Sequence, residues 1–365
     1  MVNEMLGEML CPAGNGVYMV SSGKSKTRAL QQLIYNSYDT EVVYKTWHEK
    51  LMQQHAADLF LLGIPSDNGA GIMRGANWGP LFLRETLYKN CPQINKLHDL
   101  GDVRVIPHLL HDKYLNSETI KTCQKKLYNT NDTDLPISPL SIAERVCHII
   151  HSDPNKKIFV LGGDHSVSYP LVKSYLENKS ANNVKAAIVH FDAHTDLLSS
   201  RLGIDICFGS WAYQIIKYLQ SPDLLVQVGI RASQYAKSHW EKKLGIKQFW
   251  AKELRESSAQ TIATKVVEHL HNKGITEIYI SFDIDVLDSA LAGATGAPEG
   301  YGLTPEEVSE IITILRENFS VTGADIVEVA PYIGAHYANR GSAEPETTLN
   351  SALTVMQTLI ESLLA

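Results

Sequence analysis

The chain has no hydrophobic run long enough to cross a membrane, no block of basic residues, and no internal repeat or low-complexity tract. The first absence excludes a helical membrane protein, because a span needs about 20 consecutive apolar residues. The second removes the electrostatic footprint of a nucleic-acid binder. Lys and Arg total 33 against 40 Asp and Glu, a formal net charge of −7, and no positive stripe is available to track phosphates. The five cysteines, Cys11, Cys91, Cys123, Cys147 and Cys207, are scattered, odd in number and lack any Cys-x-x-Cys spacing. They read as reduced thiols in a reducing compartment. Glu4 and Glu8 precede the first basic residue, Lys24, the wrong sign for a signal peptide. A cytosolic protein with neither a membrane nor a nucleic-acid partner is expected.

What the chain does contain is alternation. At 365 residues it can bury a large core. Residues 1–50 have little clean periodicity and read as an N-terminal extension that packs on the core or on a neighbouring subunit. Residues 51–365 read as a single catalytic domain. There the short apolar runs Leu59–Ile64, Lys157–Leu161, Ala186–Phe191, Leu225–Ile230, Glu277–Phe282 and Asp325–Val329 are expected as buried strands. Amphipathic helices are expected near 140–150, 259–273, 305–317 and 348–364. The run Thr304-Pro305-Glu306-Glu307 predicts a capped helix start, with Pro at the first helical position. Strands alternating with helices give an α/β fold, a mostly parallel sheet with helices on both faces.

Three polar runs follow three of those strands: Gly162-Gly163-Asp164-His165, Asp192-Ala193-His194-Thr195-Asp196 and Asp283-Ile284-Asp285. A lone Asp-x-His is ordinarily a polar pair in a turn. Three such runs at strand ends are harder to read that way, since parallel sheets place ligands at the carboxyl ends of their strands. Side chains alternate along a strand, so Asp192, His194 and Asp196 can project one way, and Asp283 and Asp285 likewise. Carboxylates so crowded repel unless cations neutralise them. A mixture of Asp and His suits a borderline divalent ion such as Mn²⁺ better than Ca²⁺ or a structural zinc, while Ni²⁺, Co²⁺ and Zn²⁺ stay open.

With these runs in order, the chain resembles the ureohydrolase family of arginases, agmatinases and formimidoylglutamases from about residue 57 to the carboxyl terminus. Further matching segments are Gly63-Ile64-Pro65, Arg74-Gly75-Ala76, Gly79-Pro80, Leu100-Gly101-Asp102-Val103, Gly302-Leu303-Thr304 and Ile326-Val327-Glu328-Val329. The resemblance implies a three-layer α/β/α arginase-like fold with about eight mostly parallel strands, two Mn²⁺ ions and a homo-oligomer, a trimer or hexamer. It implies that His165 and Asp196 hold one metal, that His194 and Asp285 hold the other, and that Asp192 and Asp283 bridge them. The ion pair would activate a water. Glu328 would grip the cationic substrate, and Asp196 would also help orient the nucleophile.

The departures from the family pattern bear on the substrate. Where arginases and agmatinases carry a His-Gly pair whose histidine shuttles protons, this chain has Phe208-Gly209. Another group such as His336 or Cys207 would have to serve, or the site manages without one, as in formimidoylglutamases. The loop that grips the amino-acid head group in arginases reads Leu197-Leu198-Ser199-Ser200-Arg201, and a later acidic pair reads Ala232-Ser233. Each lost buried polar partner costs about 1–3 kcal/mol, which moves preference away from free arginine. Arg201 is a candidate receptor for a substrate carboxylate, or simply a solvated loop arginine. The expected activity is hydrolysis of a linear amidine, with agmatine or guanidinobutyrate first, formiminoglutamate second and arginine third. A catalytically impaired metal-binding homologue is the alternative from another class. A one-metal zinc deacetylase fits less well, because it would leave His165, Asp196 and Asp285 without a second ion.

Overall fold

A computed structural model of the chain describes residues 2–16, 23–53, 57–338 and 344–365. Among the described residues nine strands form one sheet: β1 (Leu10–Cys11), β2 (Leu59–Gly63), β3 (His98–Val103), β4 (Lys157–Leu161), β5 (Ala186–Phe191), β6 (Leu225–Ile230), β7 (Lys247–Trp250), β8 (Glu277–Asp283) and β9 (Ser320–Val327). Their order is β1-β3-β2-β4-β9-β8-β5-β6-β7. Strand β1 runs antiparallel to β3, and every other pairing is parallel.

The pleat divides each central strand between two cores. In β4, Ile158 and Val160 face a cluster with Val146, Ile150, Val172 and Tyr175. Their neighbours Phe159 and Leu161 face one with Leu83, Leu87, Met356 and Leu359. Helices Pro139–His151 and Ser168–Ala181 supply the first face, and Ala259–Asn272, Pro305–Asn318 and Glu346–Leu364 the second. The result is the mixed α/β architecture with helices around a mostly parallel sheet that the alternation predicted. The capped start is present as well: Thr304 Oγ1 accepts from Glu307 N at 3.2 Å, and Glu307 Oε2 accepts from Thr304 N at 2.8 Å. No helix among the described residues is long and apolar enough to cross a membrane.

Several elements differ from expectation. Strand β9 begins at Ser320 and stops at Val327 rather than spanning Asp325–Val329, because Glu328 turns into the left-handed region with φ 64°. Strand β3 was hidden by Asp99, Gly101 and Asp102, and β7 by its four-residue length. The amino-terminal segment is also more regular than its weak periodicity suggested. It forms helices Val2–Met9, Lys24–Tyr35 and Thr40–Met52, and Leu6, Met9, Leu30 and Trp47 are buried in the first core.

A buried ion cluster fastens this segment. Arg84, fully buried, meets Asp102 Oδ1 at 2.5 Å and Asp99 Oδ2 at 3.2 Å and donates to the Gly101 carbonyl at 2.9 Å. The other oxygen of Asp102 accepts from Gly14 N at 2.7 Å, so one carboxylate joins the central domain to the chain's first turn. Removing one partner of a buried pair strands the other charges, at a cost of about 3–5 kcal/mol. Arg84→Met keeps the aliphatic stem and is expected to lower unfolding stability by about that amount in a urea titration. A loss below about 1 kcal/mol would show that the cluster contributes little.

Candidate metal centre

Strands β4, β9, β8 and β5 are neighbours and parallel, so their carboxyl ends open side by side. Beyond β4 the chain turns sharply over Gly162 and Gly163. A Cβ on Gly163 would lie 1.8 Å from the Ser66 carbonyl oxygen, so only glycine lets this loop pass. Asp164 then accepts from Ser166 N at 2.8 Å and Gly69 N at 3.1 Å, which turns His165 inward.

His165 Nδ1 lies 3.2 Å from Asp192 Oδ2, 3.2 Å from Asp196 Oδ2 and 3.0 Å from Asp283 Oδ2, yet it is buried without a hydrogen-bond partner. Its other nitrogen, Nε2, is 3.2 Å from Ser281 Oγ. The Ser281 hydroxyl donates to Asp325 Oδ1 at 2.9 Å, and Asp325 also accepts from Tyr279 Oη and Ser168 Oγ. Since the Ser281 proton is directed to Asp325, His165 donates from Nε2 and its Nδ1 lone pair faces three carboxylate oxygens. Such a meeting is repulsive unless a cation or a proton sits between. The spacings near 3 Å match adjacent donors around a divalent ion with bonds of about 2.1 Å.

A second donor set lies beside the first. His194 Nδ1 is 2.9 Å from Asp285 Oδ2 and 3.5 Å from Asp192 Oδ1. The two oxygens of Asp192 therefore face different histidines, the arrangement a shared ligand requires. Asp192, His194 and Asp285 form one group whose ligand atoms could hold an ion, and His165, Asp192 and Asp196 belong to another. His190 lies within reach of the latter, but both its ring nitrogens are engaged, by Asp192 Oδ2 and by Gln227.

The strand pleat alone does not bring these groups together. Strand β5 ends at Phe191, and Asp196 converges only because it adopts φ 51°, where Trp211 Nε1 donates to its Oδ2 at 2.9 Å. Asp196 and Glu328 are both non-glycine residues in the left-handed region, a cost that surrounding structure must offset and that clusters at functional sites. The electrostatics are those of excess negative charge. Burial, then Asp285 and Asp192, push the Asp283 carboxyl well above its usual range, and burial and Asp192 raise Asp196 and Asp285. Burial opposes charge on His165, but Asp192, Asp196 and Asp283 outweigh it and hold the imidazole well above its ordinary value. For His194, with Asp285 outweighing burial, the value is pushed up to about 12.

A cavity of about 200 Å³ opens onto the cluster, and His194, Asp196, Asp283, Asp285, Glu328, Arg201 and Phe208 line it. Glu328 Oε1 accepts from His165 N at 2.8 Å. Gly296 keeps the space beside Oε2 open, since a Cβ there would stand 3.7 Å from that oxygen. Burial, then Asp164, raise the Glu328 carboxyl well above the usual range. The Arg201 guanidinium sits over the Phe208 ring at 5.3 Å, and Phe208 N donates to the Gly69 carbonyl at 3.0 Å. Cys207 is buried against Ser210 and is not among the residues lining this cavity. The His336 side chain lies outside the described residues. Sequence reasoning missed His190, Trp211, Ser281 and Asp325. His190 and Ser281 stand two residues before the candidate ligands Asp192 and Asp283, a period-two signal that was available.

This fold and site define an α/β protein with a His/Asp cluster that could hold metal at the carboxyl ends of parallel strands. The chain matches the arginase family over residues 57–360 and belongs to that family. It is 32% identical to the mitochondrial agmatinase of Gallus gallus over 75% of this chain and 74% of that one. It is 28% identical to the guanidinobutyrase of Pseudomonas aeruginosa over 76% and 80%. The crystal structure of formimidoylglutamase from Bacillus subtilis superposes with a TM-score of 0.65 at 21% identity, covering 84% of this chain and 87% of that one, a likeness of fold.

Because Asp283 is disfavoured as an anion without a cation, Asp283→Asn is expected to leave the melting temperature of chelator-treated protein unchanged or higher. Mn²⁺ at a hundredfold excess over its Kd should stabilise the unmodified protein by about 2.7 kcal/mol per site, and the variant should lose most of that gain. An equal metal-induced shift in both proteins would contradict the assignment.

Proposed function

We propose that this protein uses a pair of Mn²⁺ ions to hydrolyse the C–N bond of a guanidino compound, giving urea and an amine. The observation that carries it is the position of Glu328, with one oxygen tied to the His165 backbone and the other beside the gap left by Gly296. When bound, the ions supply Lewis acidity and an acidified water as nucleophile. His165 and Asp196 would hold one, His194 and Asp285 the other, and Asp192 and Asp283 both. Glu328 pairs with the guanidinium and fixes its planar carbon in reach. The cation replaces the solvent that Glu328 has lost, so binding favours the anionic carboxylate that burial alone disfavours. Asp196, steadied by the Trp211 indole, orients the attacking water. A guanidinium and a water become urea and an ammonium, so the departing nitrogen takes both protons that water brings. Phe208 offers no titratable group on its wall.

The far end of the substrate meets Arg201 and Phe208. A guanidinium there favours an ω-guanidino acid over agmatine, whose distal group is also a cation. At an exposed rim this is worth about 1 kcal/mol or less. The absence of arginase-type polar groups in Leu197–Arg201 ranks arginine lowest, and a formimino substrate is the alternative suited to a site without the histidine. Assembly into trimers or hexamers and a cytosolic location belong to the same reading. Phe208 favours one further reading, a metal-binding homologue with impaired catalysis.

Metal-loaded protein assayed against guanidinobutyrate, agmatine, arginine and formiminoglutamate, with urea, formamide and ammonia measured, separates these readings. Urea release from guanidinobutyrate or agmatine is expected, with weak arginine hydrolysis that Phe208→His does not restore. Glu328→Gln should lower kcat/KM by about 10- to 100-fold while keeping its metal, and Arg201→Glu should tilt preference from guanidinobutyrate toward agmatine. Arginine turnover of about 10 s⁻¹ or more would contradict the substrate ranking. No product from any compound would favour the impaired homologue.

A further inference from the structure

One row of polar side chains crosses the sheet beneath the metal ligands. Gln248 of β7 is in register with Gln227 of β6, Gln227 with His190 of β5, His190 with Ser281 of β8, and Ser281 with Asp325 of β9. All five are fully buried, in strands whose other buried residues are mostly apolar. Burying polar groups is costly unless every one finds a partner, so the row calls for a reason.

The bonds along it have a fixed direction. The Trp250 indole N–H can only donate, and it reaches Gln248 Oε1 at 3.0 Å. That leaves the Gln248 amide nitrogen to donate to Gln227 Oε1 at 2.7 Å. Gln227 Nε2 then faces two acceptors, the Thr195 carbonyl at 2.7 Å and His190 Nδ1 at 2.9 Å. A carbonyl can only accept, so both ends of the relay are fixed by groups with no alternative role, and neither amide can flip without losing a bond. His190 Nδ1 is thereby an acceptor. Its proton lies on Nε2 and is given to Asp192 Oδ2 at 2.8 Å. The other oxygen of Asp192 accepts from the His194 backbone N–H at 2.6 Å, so each oxygen is held by one donor.

We propose that Gln227 is a positioning residue of the metal centre, fixing the His190 tautomer so that His190 holds the Asp192 carboxylate, which would serve both metals, in one orientation. This rests on reading Asp192 as a shared ligand, and the two can fail separately, because the tautomer is readable in metal-free protein. In two-bond ¹H–¹⁵N spectra of histidine-labelled, chelator-treated protein, with His190→Phe providing the assignment, His190 should carry its proton on Nε2. In Gln227→Met the Nδ1-protonated form should appear. Mn²⁺ titration should show Gln227→Met binding about 10- to 100-fold more weakly, the range for groups that orient a ligand. His190→Phe should match or exceed that loss, and the double variant should lose no more than His190→Phe alone. Trp250→Phe, at the half-buried end of the relay, should shift the tautomer in the same direction, and it decides the matter if Gln227→Met does not fold. Proton occupancy on Nδ1 in the unmodified protein, wild-type Mn²⁺ affinity in Gln227→Met, or additive losses in the double variant would overturn the proposal. A protein that binds no Mn²⁺ but has the expected tautomer would instead refute the shared-ligand reading.

Discussion

Everything at this site follows from the Asp192 carboxylate, whose two oxygens face two different histidines, one beyond the end of β4 and one beyond the end of β5. His165, His190 and His194 outweigh the burial that would otherwise protonate it and hold it well below the usual range. The carboxylates around it are pushed the opposite way. One anion is strongly favoured and three are disfavoured. The imbalance is relieved by positive charge placed between the rings and the surrounding Asp side chains, and each donor set provides one such place.

The fold makes that crowding possible. Parallel strands put four carboxyl ends along one edge, and a loop turn at each end sends a polar side chain toward the same point. The positive φ angles of Asp196 and Glu328 complete the convergence. Beneath the ligands, the sheet gives up apolar side chains in one row for groups that hold them: Ser281 and Asp325 fix His165, and Gln227 with His190 fixes Asp192. Ligands with their own fixed partners lose less freedom when they bind an ion.

Much of this was legible in the sequence. The six strands read from apolar runs correspond to observed strands, and the three polar runs converge because each stands at a strand end. The Thr304 cap was readable because its chemistry is local. Strands β3 and β7 were not, since polar residues interrupt one and the other is too short to show a period. The helices of the first 52 residues bury few positions each, so their pattern is weak, although they pack on the main core. The supporting row was missed for a related reason: Gln227, Gln248 and Asp325 are far apart in sequence and become neighbours only through strand register. Glu328 and Phe208 were singled out by resemblance, and their joint place on one cavity wall depends on loops whose course no local signal specifies.

The most direct measurement is anomalous diffraction at the manganese edge from crystals grown with Mn²⁺. Two peaks are expected, one bounded by His165 Nδ1 and Asp196 and the other by His194 Nδ1 and Asp285, with one oxygen of Asp192 toward each. A single peak, or two peaks with Asp192 reaching only one of them, would contradict the account.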